Sequence, residues 1–400
     1  PIIDEVAETL GEKAKVGKVN VDDNQDLAME YGVMSIPTIV IRKNGEITKS
    51  GKINCPDILP DEKAEIFLPI SDYIKNLDGK ELVLKLSFSK GKQEKFDPAV
   101  ISEEEFILQE ELCFSEYEKS QSDKNPQCAF ARELQAKSVS EVFTPTIFRG
   151  IIENECIKRQ IPMFSFDNLP EWILIRPIVS WLKNDLPNAK IISPTENCFE
   201  IWSGDDGKES NKLATCEIKK ETVQIGKSKN GSKINVIFNL HDSMKEFPRA
   251  GIQMEIPKNF DSVTWYGQGP HECYNDRQFS AHRGLYSLKA DELEVPYIVP
   301  QENGTRIGTK YLCLKSASGE EIHIQSRKDF GWNYSKYSTK DLWKCEHRNE
   351  LVDLTQGENG YYVLILDLAH RGVGTGVCGP DTLEQYRVRP GTYETEFYIW

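Results

Sequence analysis

The stretch INVIFNLHDSMKEFPRAGIQMEI, residues 234–256, decides the fold class of this chain. Apolar side chains take every second position in both of its runs: Ile234, Val236, Phe238 and Leu240, then Ile252, Met254 and Ile256. A period of two is the pattern of a strand with one buried face, and antiparallel sheets commonly bury one face. The stretch therefore predicts two strands of an antiparallel sheet.

The same alternation continues outward from this stretch. It recurs at Leu82, Leu84, Leu86 and Phe88, and at the end of the chain at Tyr393, Thr395, Phe397 and Ile399. Turn signals separate the runs, at residues 229–231, 302–304 and 389–391. Beyond residue 80 we expect at most one helix, around residues 172–182. Strands do not alternate with helices, which excludes a (β/α)8 barrel of roughly 250 residues.

Composition excludes several classes of function. The chain has 49 Lys and Arg against 63 Asp and Glu, a net charge of −14, and no basic block. Such a chain is not expected to bind nucleic acid or anionic lipid. No apolar run approaches the roughly 18 residues of a membrane span. The chain opens at Pro1 without a signal-peptide pattern, so we expect a cytoplasmic protein whose 10 cysteines are ordinary reduced thiols.

Several motif-like stretches do not predict chemistry. Gly374 to Gly379 fit G-x-G-x-x-G, but Pro380 follows at once and too little chain remains for the βαβ unit that the motif needs. The six histidines are isolated in the sequence, so we expect no metal site. The adjacent glutamates at residues 103–105 and 110–111 predict a solvated surface, not the paired carboxylates of a glycosidase. We therefore predict no catalytic residue.

Residues 1–46 resemble thioredoxin. The segment Ser35-Ile36-Pro37-Thr38 matches the cis-proline loop of that family. The match begins after the position of the family's redox motif, and no two cysteines of this chain lie within five residues of each other. Dithiol exchange needs two neighbouring thiols. We therefore expect an incomplete thioredoxin-fold α/β fragment without reductase activity.

A second resemblance covers residues 140–400. These residues are similar to the small-chain domain of glycoside hydrolase family 2 β-galactosidases. The motif residues with an expected structural role are Trp265, Gly267, Gly269, Pro270, Glu272, Tyr274, Asp276, Arg277, Glu302, Asn303, Gly304, Gly379 and Pro380. Upstream, residues 145–149 and 153–155 resemble a degraded form of the segment that opens this domain.

The resemblance implies a mainly β fold with three domains. Residues 138–400 would form a large antiparallel super-sandwich of the galactose mutarotase type. Residues 51–137 would form a small immunoglobulin-like sandwich and a polar linker. Residues 1–50 would be the thioredoxin-like fragment.

The resemblance also implies a site. In the family, a small-chain loop closes the galactoside pocket, which assigns substrate binding to His370, Arg371, Gly374 and Cys378. The family's catalytic glutamates and magnesium ligands lie on a barrel domain that these 400 residues do not contain. The resemblance thus implies no cofactor in this chain.

Three functions remain open at this stage. The first is a non-catalytic C-terminal part or small subunit of a β-galactosidase, which reaches β-galactosides through a catalytic large subunit in an oligomeric assembly. The second is a free-standing carbohydrate-binding or mutarotase-like module, which would need a histidine and a carboxylate converging on a concave face. The third is a chimeric chain without a coherent function.

Overall fold

The structure is a computed structural model. It describes residues 16–18, 38–43, 46–52, 68, 82–89, 100–109, 128–155, 177–204, 210–225, 229–374 and 380–400. The chain divides into two compact units. The first unit is Pro1–Ser122 with Phe279–Arg283, and the second is Asp123–Gln278 with Gly284–Trp400.

The described part of the first unit contains one five-stranded sheet. Its strands are β1 (Val16–Lys18), β2 (Thr38–Lys43), β3 (Glu46–Lys52), β4 (Leu82–Ser89) and β5 (Val100–Gln109), in the order β1-β5-β4-β2-β3. β4 and β5 pair in antiparallel fashion with Leu84 opposite Phe106, and both side chains are buried. The alternation predicted from Leu82 onward is thus a strand, and the immunoglobulin-like sandwich stays a prediction.

The second unit is built on a twelve-stranded sheet among the described residues. Its strands are β6 (Thr144–Thr146), β7 (Lys190–Thr195), β8 (Cys198–Trp202), β9 (Lys212–Ile225), β10 (Lys229–Leu240), β11 (Arg249–Pro257), β12 (Ser262–Gly269), β13 (His282–Lys289), β14 (Arg306–Lys315), β15 (Glu321–Ser335), β16 (Tyr361–His370) and β17 (Gly391–Ile399).

Four α-helices accompany this sheet in the described ranges: α1 (Ala129–Ala136), α2 (Val139–Val142), α3 (Pro177–Lys183) and α4 (Thr339–Lys344). Short 3-10 turns cover Leu186–Asn188, Ala290–Glu292, Arg348–Glu350 and Glu384–Tyr386. The expectation of at most one helix was therefore wrong. α3 lies within the predicted range, and α1 forms because the Cys128 side chain accepts the Ala131 N–H while Ala131 and Leu134 turn into the core.

Apart from β13, the strands of the large sheet pair in antiparallel fashion. The main path runs β13-β12-β14-β15-β17-β10-β9-β8-β7, and β11 joins it through β16, which pairs with β15. Along β10 and β17, Ile234 lies opposite Phe397 and Ser232 opposite Ile399. The mainly β, antiparallel fold predicted from the alternating runs is confirmed.

The core follows the predicted alternation. The apolar side chains of β10 and β11 that recur every second residue are all buried. Three tryptophans, Trp181, Trp265 and Trp332, are also fully buried. Burial of a large aromatic side chain contributes a few kcal/mol. One apolar cluster joins β8 to β12, β14 to β17 and α1 to α3, so this unit has a continuous core.

Candidate functional site

Buried charges gather where β11 begins and β16 ends. The antiparallel register places Arg249, the first residue of β11, opposite His370, the last residue of β16. Asp367 lies opposite Gly251 in the same pair of strands. The loop after β6 brings Arg149 and Glu155 to this end, and the segment before β14 brings Glu302. We call this set, together with Arg371 and Glu246, the arginine–carboxylate cluster.

Glu302 is the centre of the cluster. One carboxylate oxygen lies 3.0 Å from an Arg249 guanidinium nitrogen and 3.7 Å from His370 Nε2. The other accepts the Gly150 backbone N–H at 2.9 Å. Burial opposes ionisation of Glu302, but Arg249 and His370 outweigh that effect and lower its pKa to about 2. Glu302 is therefore held as a carboxylate.

Asp367 is a second buried carboxyl group on the same arginine. Its oxygen lies 2.7 Å from Arg249 Nε, and its side chain is 1% exposed. Burial raises the pKa of Asp367 although Arg249 opposes that shift. Gly251 makes room for this carboxyl group, because a Cβ there would lie 2.6 Å from an Asp367 oxygen. Arg249 thus joins two strands and the Glu302 segment.

Arg371 forms the second half of the cluster. Its guanidinium donates to Glu246 at 2.8 Å and to both oxygens of Asp381 at 2.6 Å. Its carbon lies 5.6 Å from the centre of the Trp181 ring. Arg149 pairs with Glu155 at 2.5 Å and stacks near the same ring. Two arginines and one tryptophan therefore tie the end of β16 to α3.

The motif that starts at Trp265 forms a tight frame beside the cluster. Trp265 Nε1 donates to the Gln268 carbonyl at 3.0 Å, and its ring meets Trp332 edge-on at 5.4 Å. The Gly269–Pro270 peptide is cis. Gly267 is required because a Cβ there would lie 2.4 Å from Thr309 Oγ1. Gly267 and Trp265 are thus packing positions.

Glu272 holds the segments around residues 274, 297 and 304 together. It accepts the Gly304 N–H at 2.7 Å and the Tyr297 hydroxyl at 2.6 Å, and it pairs with Arg277. Asn303 accepts the Val295 N–H at 3.1 Å. The predicted structural residues Glu272, Arg277, Asn303 and Gly304 therefore lie close together, and their structural role stays a prediction.

Tyr274 lies between Glu272 and the arginine–carboxylate cluster. Its ring is 5.4 Å from that of His370, and its hydroxyl lies 3.5 Å from Glu272. Burial and the two neighbouring glutamates raise its pKa well above 10.0, so the hydroxyl keeps its proton. Tyr274 thus places a neutral aromatic side chain beside the buried polar groups.

Asp276 fixes the two ends of the loop that follows β16. Its carboxylate accepts the Val373 N–H at 2.9 Å and the Gly374 N–H at 2.7 Å. It also accepts the Thr382 hydroxyl at 2.7 Å. Residues on both sides of segment 375–379 are therefore bound to one side chain. We call this arrangement the Asp276 clamp.

Three of the four predicted substrate-binding residues, His370, Arg371 and Gly374, lie among the described residues. His370 and Arg371 are 3% and 1% exposed, and both are engaged within the cluster. The Gly374 N–H points to Asp276. Cys378 and the motif residue Gly379 lie outside the described residues, and Pro380 is exposed. Substrate contact by these four residues stays a prediction.

Arg249, Asp367 and Glu246 were not predicted from the sequence as site residues. A signal was present for two of them, because Arg249 opens an apolar strand and Asp367 interrupts the run from Tyr361 to Ala369. A single charge within an otherwise buried strand is costly unless it is paired. Nothing in the sequence pattern marks Glu246.

Two families match parts of this chain. The family described as beta galactosidase small chain matches residues 132–399, and the thioredoxin family matches residues 1–57. A solved GalM/aldose epimerase homologue from C. elegans is 12% identical, covers 53% of this chain and 67% of its own, and has a TM-score of 0.26.

Curated β-galactosidases are also similar in sequence to part of this chain. A Vibrio cholerae β-galactosidase is 41% identical over 142 residues, which cover 36% of this chain and 13% of that protein. A Kluyveromyces lactis β-galactosidase is 34% identical over 168 residues, which cover 40% of this chain and 16% of that protein. The chain therefore spans less than a fifth of the length of these relatives. Because the family match extends over well over half of the sequence, the chain belongs to the β-galactosidase small-chain family.

Proposed function

We propose that this chain supplies the non-catalytic C-terminal part, or small subunit, of a β-galactosidase and completes its galactoside pocket. The loop after β16 would close the pocket from one side. The groups that break the glycosidic bond, and the magnesium ligands, would come from a catalytic barrel on another chain or segment. The resulting enzyme would be a cytoplasmic oligomer that acts on β-galactosides.

The Asp276 clamp is the observation that supports this proposal most strongly. A loop that closes a pocket must hold its position when the partner surface arrives. Here one carboxylate binds three groups on both sides of segment 375–379. Arg371 adds a paired contact to Asp381 at the far end. Such a loop can contribute to a pocket without carrying catalytic groups.

Complementation tests the proposal. The purified chain alone should not turn over a chromogenic β-galactoside at an ordinary enzyme rate of roughly 1–1,000 per second. Added to a β-galactosidase from which the C-terminal region has been deleted, it should restore turnover. Turnover by the chain alone, or no restoration by a folded chain, would contradict the proposal.

A pair of matched variants links the restored activity to the clamp. Asp276→Asn removes the charge that holds the loop, so we expect the restored rate to fall about tenfold, the effect of losing one hydrogen bond of about 1.4 kcal/mol. Asp291→Asn removes an equal charge from an exposed pair with Lys336 and should leave the rate unchanged. Equal restored rates in both variants would show that the loop does not take part in closing the pocket.

The contact by Cys378 is a separate part of the proposal. Cys378→Ala and Cys378→Trp in the complemented enzyme should change galactoside affinity, since a thiol and an indole offer different apolar areas to a sugar. If both variants keep affinity and turnover while stability falls, Cys378 has a packing role and the substrate assignment is wrong.

A mutarotase-like module is the second candidate, and one observation favours it. His370 and Glu302 converge at 3.7 Å, the combination of histidine and carboxylate that such a site requires. Against it, both side chains are under 5% exposed and Glu302 is bound to Arg249. Polarimetry with α-galactose separates the two, because a mutarotase accelerates the decay of optical rotation and a pocket-closing domain does not.

A further inference from the structure

A cysteine, a glutamate and a histidine meet on the hairpin of β14 and β15. The candidate ligand atoms of Cys313, Glu321 and His323 all lie within 4.8 Å of one another. None of the three belongs to the arginine–carboxylate cluster. We call them the hairpin triad.

The hairpin register creates the triad. Cys313 on β14 lies directly opposite His323 on β15, and Lys315 lies opposite Glu321. Residues two apart on a strand point to the same face, so Glu321 and His323 share the face of Cys313. A tight turn at residues 316–320 closes the hairpin, with the Ser316 N–H donating to the Glu320 carbonyl at 2.9 Å.

The imidazole of His323 is held in one orientation. Its Nδ1 lies 2.9 Å from the Tyr311 hydroxyl, and its ring stacks on Trp400 at 5.1 Å with a 13° angle between the planes. This arrangement directs Nε2 toward Glu321, 3.4 Å from a carboxylate oxygen. A hydrogen bond at the second ring nitrogen is the usual support of a metal-binding histidine.

Glu321 presents one oxygen to the triad and the other to a cation. Its Oε1 accepts from Lys315 Nζ at 2.8 Å, and Oε2 faces His323. Cys313 and His323 are each 7% exposed, and the Glu321 side chain is 12% exposed. The triad is therefore largely shielded while its glutamate still reaches the surface, which gives an ion a path of entry.

The ligand types select the kind of ion. Thiolate, imidazole and carboxylate together suit Zn²⁺ and its neighbours in the first transition row, with metal–ligand distances of about 2.0–2.3 Å. Ligand atoms in a tetrahedral site of that size lie roughly 3.3–3.8 Å apart. Contraction of the triad by about 1 Å would reach it, and water would take the fourth position.

We propose that the hairpin triad binds a single divalent transition-metal ion of the zinc class, with Cys313, Glu321 and His323 as ligands. Binding releases the thiol proton of Cys313, and the Sγ–metal bond takes its place. The site reverses the expectation that the histidines of this chain are isolated, because only the hairpin register brings His323 to Cys313 and Glu321. The proposal does not depend on the role in β-galactosidase.

Cobalt titration of the full chain under reducing conditions tests it. Co²⁺ bound to a thiolate in a four-coordinate site gives a near-ultraviolet charge-transfer band and visible d–d bands. We expect both at one equivalent per chain, and their loss when Zn²⁺ is added. Absence of the charge-transfer band at saturating Co²⁺ would overturn the proposal.

Variants assign the signal to the triad. Cys313→Ser should abolish the charge-transfer band, and His323→Gln and Glu321→Gln should weaken binding. Tyr311→Phe should weaken it by about 10- to 100-fold with the spectrum retained, as expected for a residue that orients a ligand. Cys216→Ser, which changes another buried thiol on β9, should have no effect.

A folding control and the effect of Zn²⁺ on the melting temperature complete the test. Tryptophan fluorescence confirms that each variant is folded, and the surface-reaching Glu321→Gln variant serves if Cys313→Ser does not fold. Zn²⁺ should raise the melting temperature of the unaltered chain and of Cys216→Ser, and that of Glu321→Gln by less. A charge-transfer band that persists in folded Cys313→Ser would place the metal elsewhere and refute the triad.

Discussion

The two carboxyl groups on Arg249 show how burial and pairing compete at a single residue. Burial disfavours the charged form of both, yet the pKa of Glu302 falls while that of Asp367 rises. Glu302 also accepts the Gly150 N–H, whereas for Asp367 burial outweighs Arg249 and His370, and Glu302 is a repulsive neighbour. Removing one partner from such a set costs about 3–5 kcal/mol, because the charge left behind stays buried.

Glu302→Gln should destabilise the second unit in a pH-dependent way. The pKa of Glu302 lies at about 2 in the folded state against an ordinary 4.5, so its contribution is complete above pH 4.5 and fades as the pH falls toward 2. The difference in unfolding free energy between wild type and variant should shrink by about 2 kcal/mol from pH 6 to pH 3.

Urea unfolding followed by tryptophan fluorescence measures that difference at both pH values. The raised pKa of Asp367 acts in the opposite direction, and because Glu302 contributes to that rise, its removal offsets part of the shrinkage. An equal difference at pH 6 and pH 3 would show that Glu302 is not held as a carboxylate by Arg249.

Gly267→Ala should destabilise the second unit by about 1–3 kcal/mol, the usual cost of overpacking. The new Cβ would lie 2.8 Å from Thr309 Cα. This atom belongs to the backbone of the paired strand β14 and cannot move away. Gly284→Ala is the matched control, since its Cβ would meet only the end of the Tyr286 ring at 3.0 Å. The urea midpoint should fall further for Gly267→Ala, and equal midpoints would contradict this account.

At the scale of elements, strand ends and the loops between them carry the polar chemistry of the second unit. Arg249 begins β11 and His370 ends β16, while Asp276 lies in the connection between β12 and β13. The apolar strands supply the scaffold, and these charged residues lie at strand ends and in the connections between strands. This division is the usual one between a β scaffold and its functional loops.

Asp276→Asn should loosen the loop after β16. An asparagine has one acceptor oxygen where Asp276 offers two charged ones, so the Val373 and Gly374 amides lose part of their protection. Their hydrogen exchange should speed up about tenfold, equivalent to about 1.4 kcal/mol. Amide exchange by mass spectrometry checks this on the peptide that contains both residues, with Asp291→Asn as the control. Unchanged exchange would show that the clamp does not hold the loop.

At the scale of the whole molecule, the chain has two compact units of different size and character. All seven tryptophans, at residues 172, 181, 202, 265, 332, 343 and 400, fall in the second unit. Tryptophan fluorescence therefore reports on that unit by itself, while circular dichroism reports on both.

Thermal unfolding should accordingly give different curves with the two probes. We expect one cooperative transition by fluorescence and an additional transition by circular dichroism, because separate cores unfold independently. The first unit is the smaller one and should melt at the lower temperature, because small cores contribute less stability. Coincident curves would show that the two units unfold together.

None of the helices in the described ranges has the length and apolar character needed to span a bilayer.

The fold class and the family follow from local patterns in the sequence. Alternation with a period of two is a local property, so the runs at residues 234–240 and 252–256 could be assigned to buried strand faces without knowing their partners. The motif from Trp265 to Arg277 identified the small-chain family for the same reason, since its residues are contiguous.

The pairing of the buried charges follows from the three-dimensional fold. Arg249 and Glu302 are 53 residues apart, and Asp276 and Gly374 are 98 apart. Their pairing depends on the order and register of strands, which a one-residue slip would change. The hairpin triad depends on register too, because Cys313 meets His323 only where β14 and β15 align. Local spacing fixes which face a side chain takes, but the partner on that face is chosen by long-range packing.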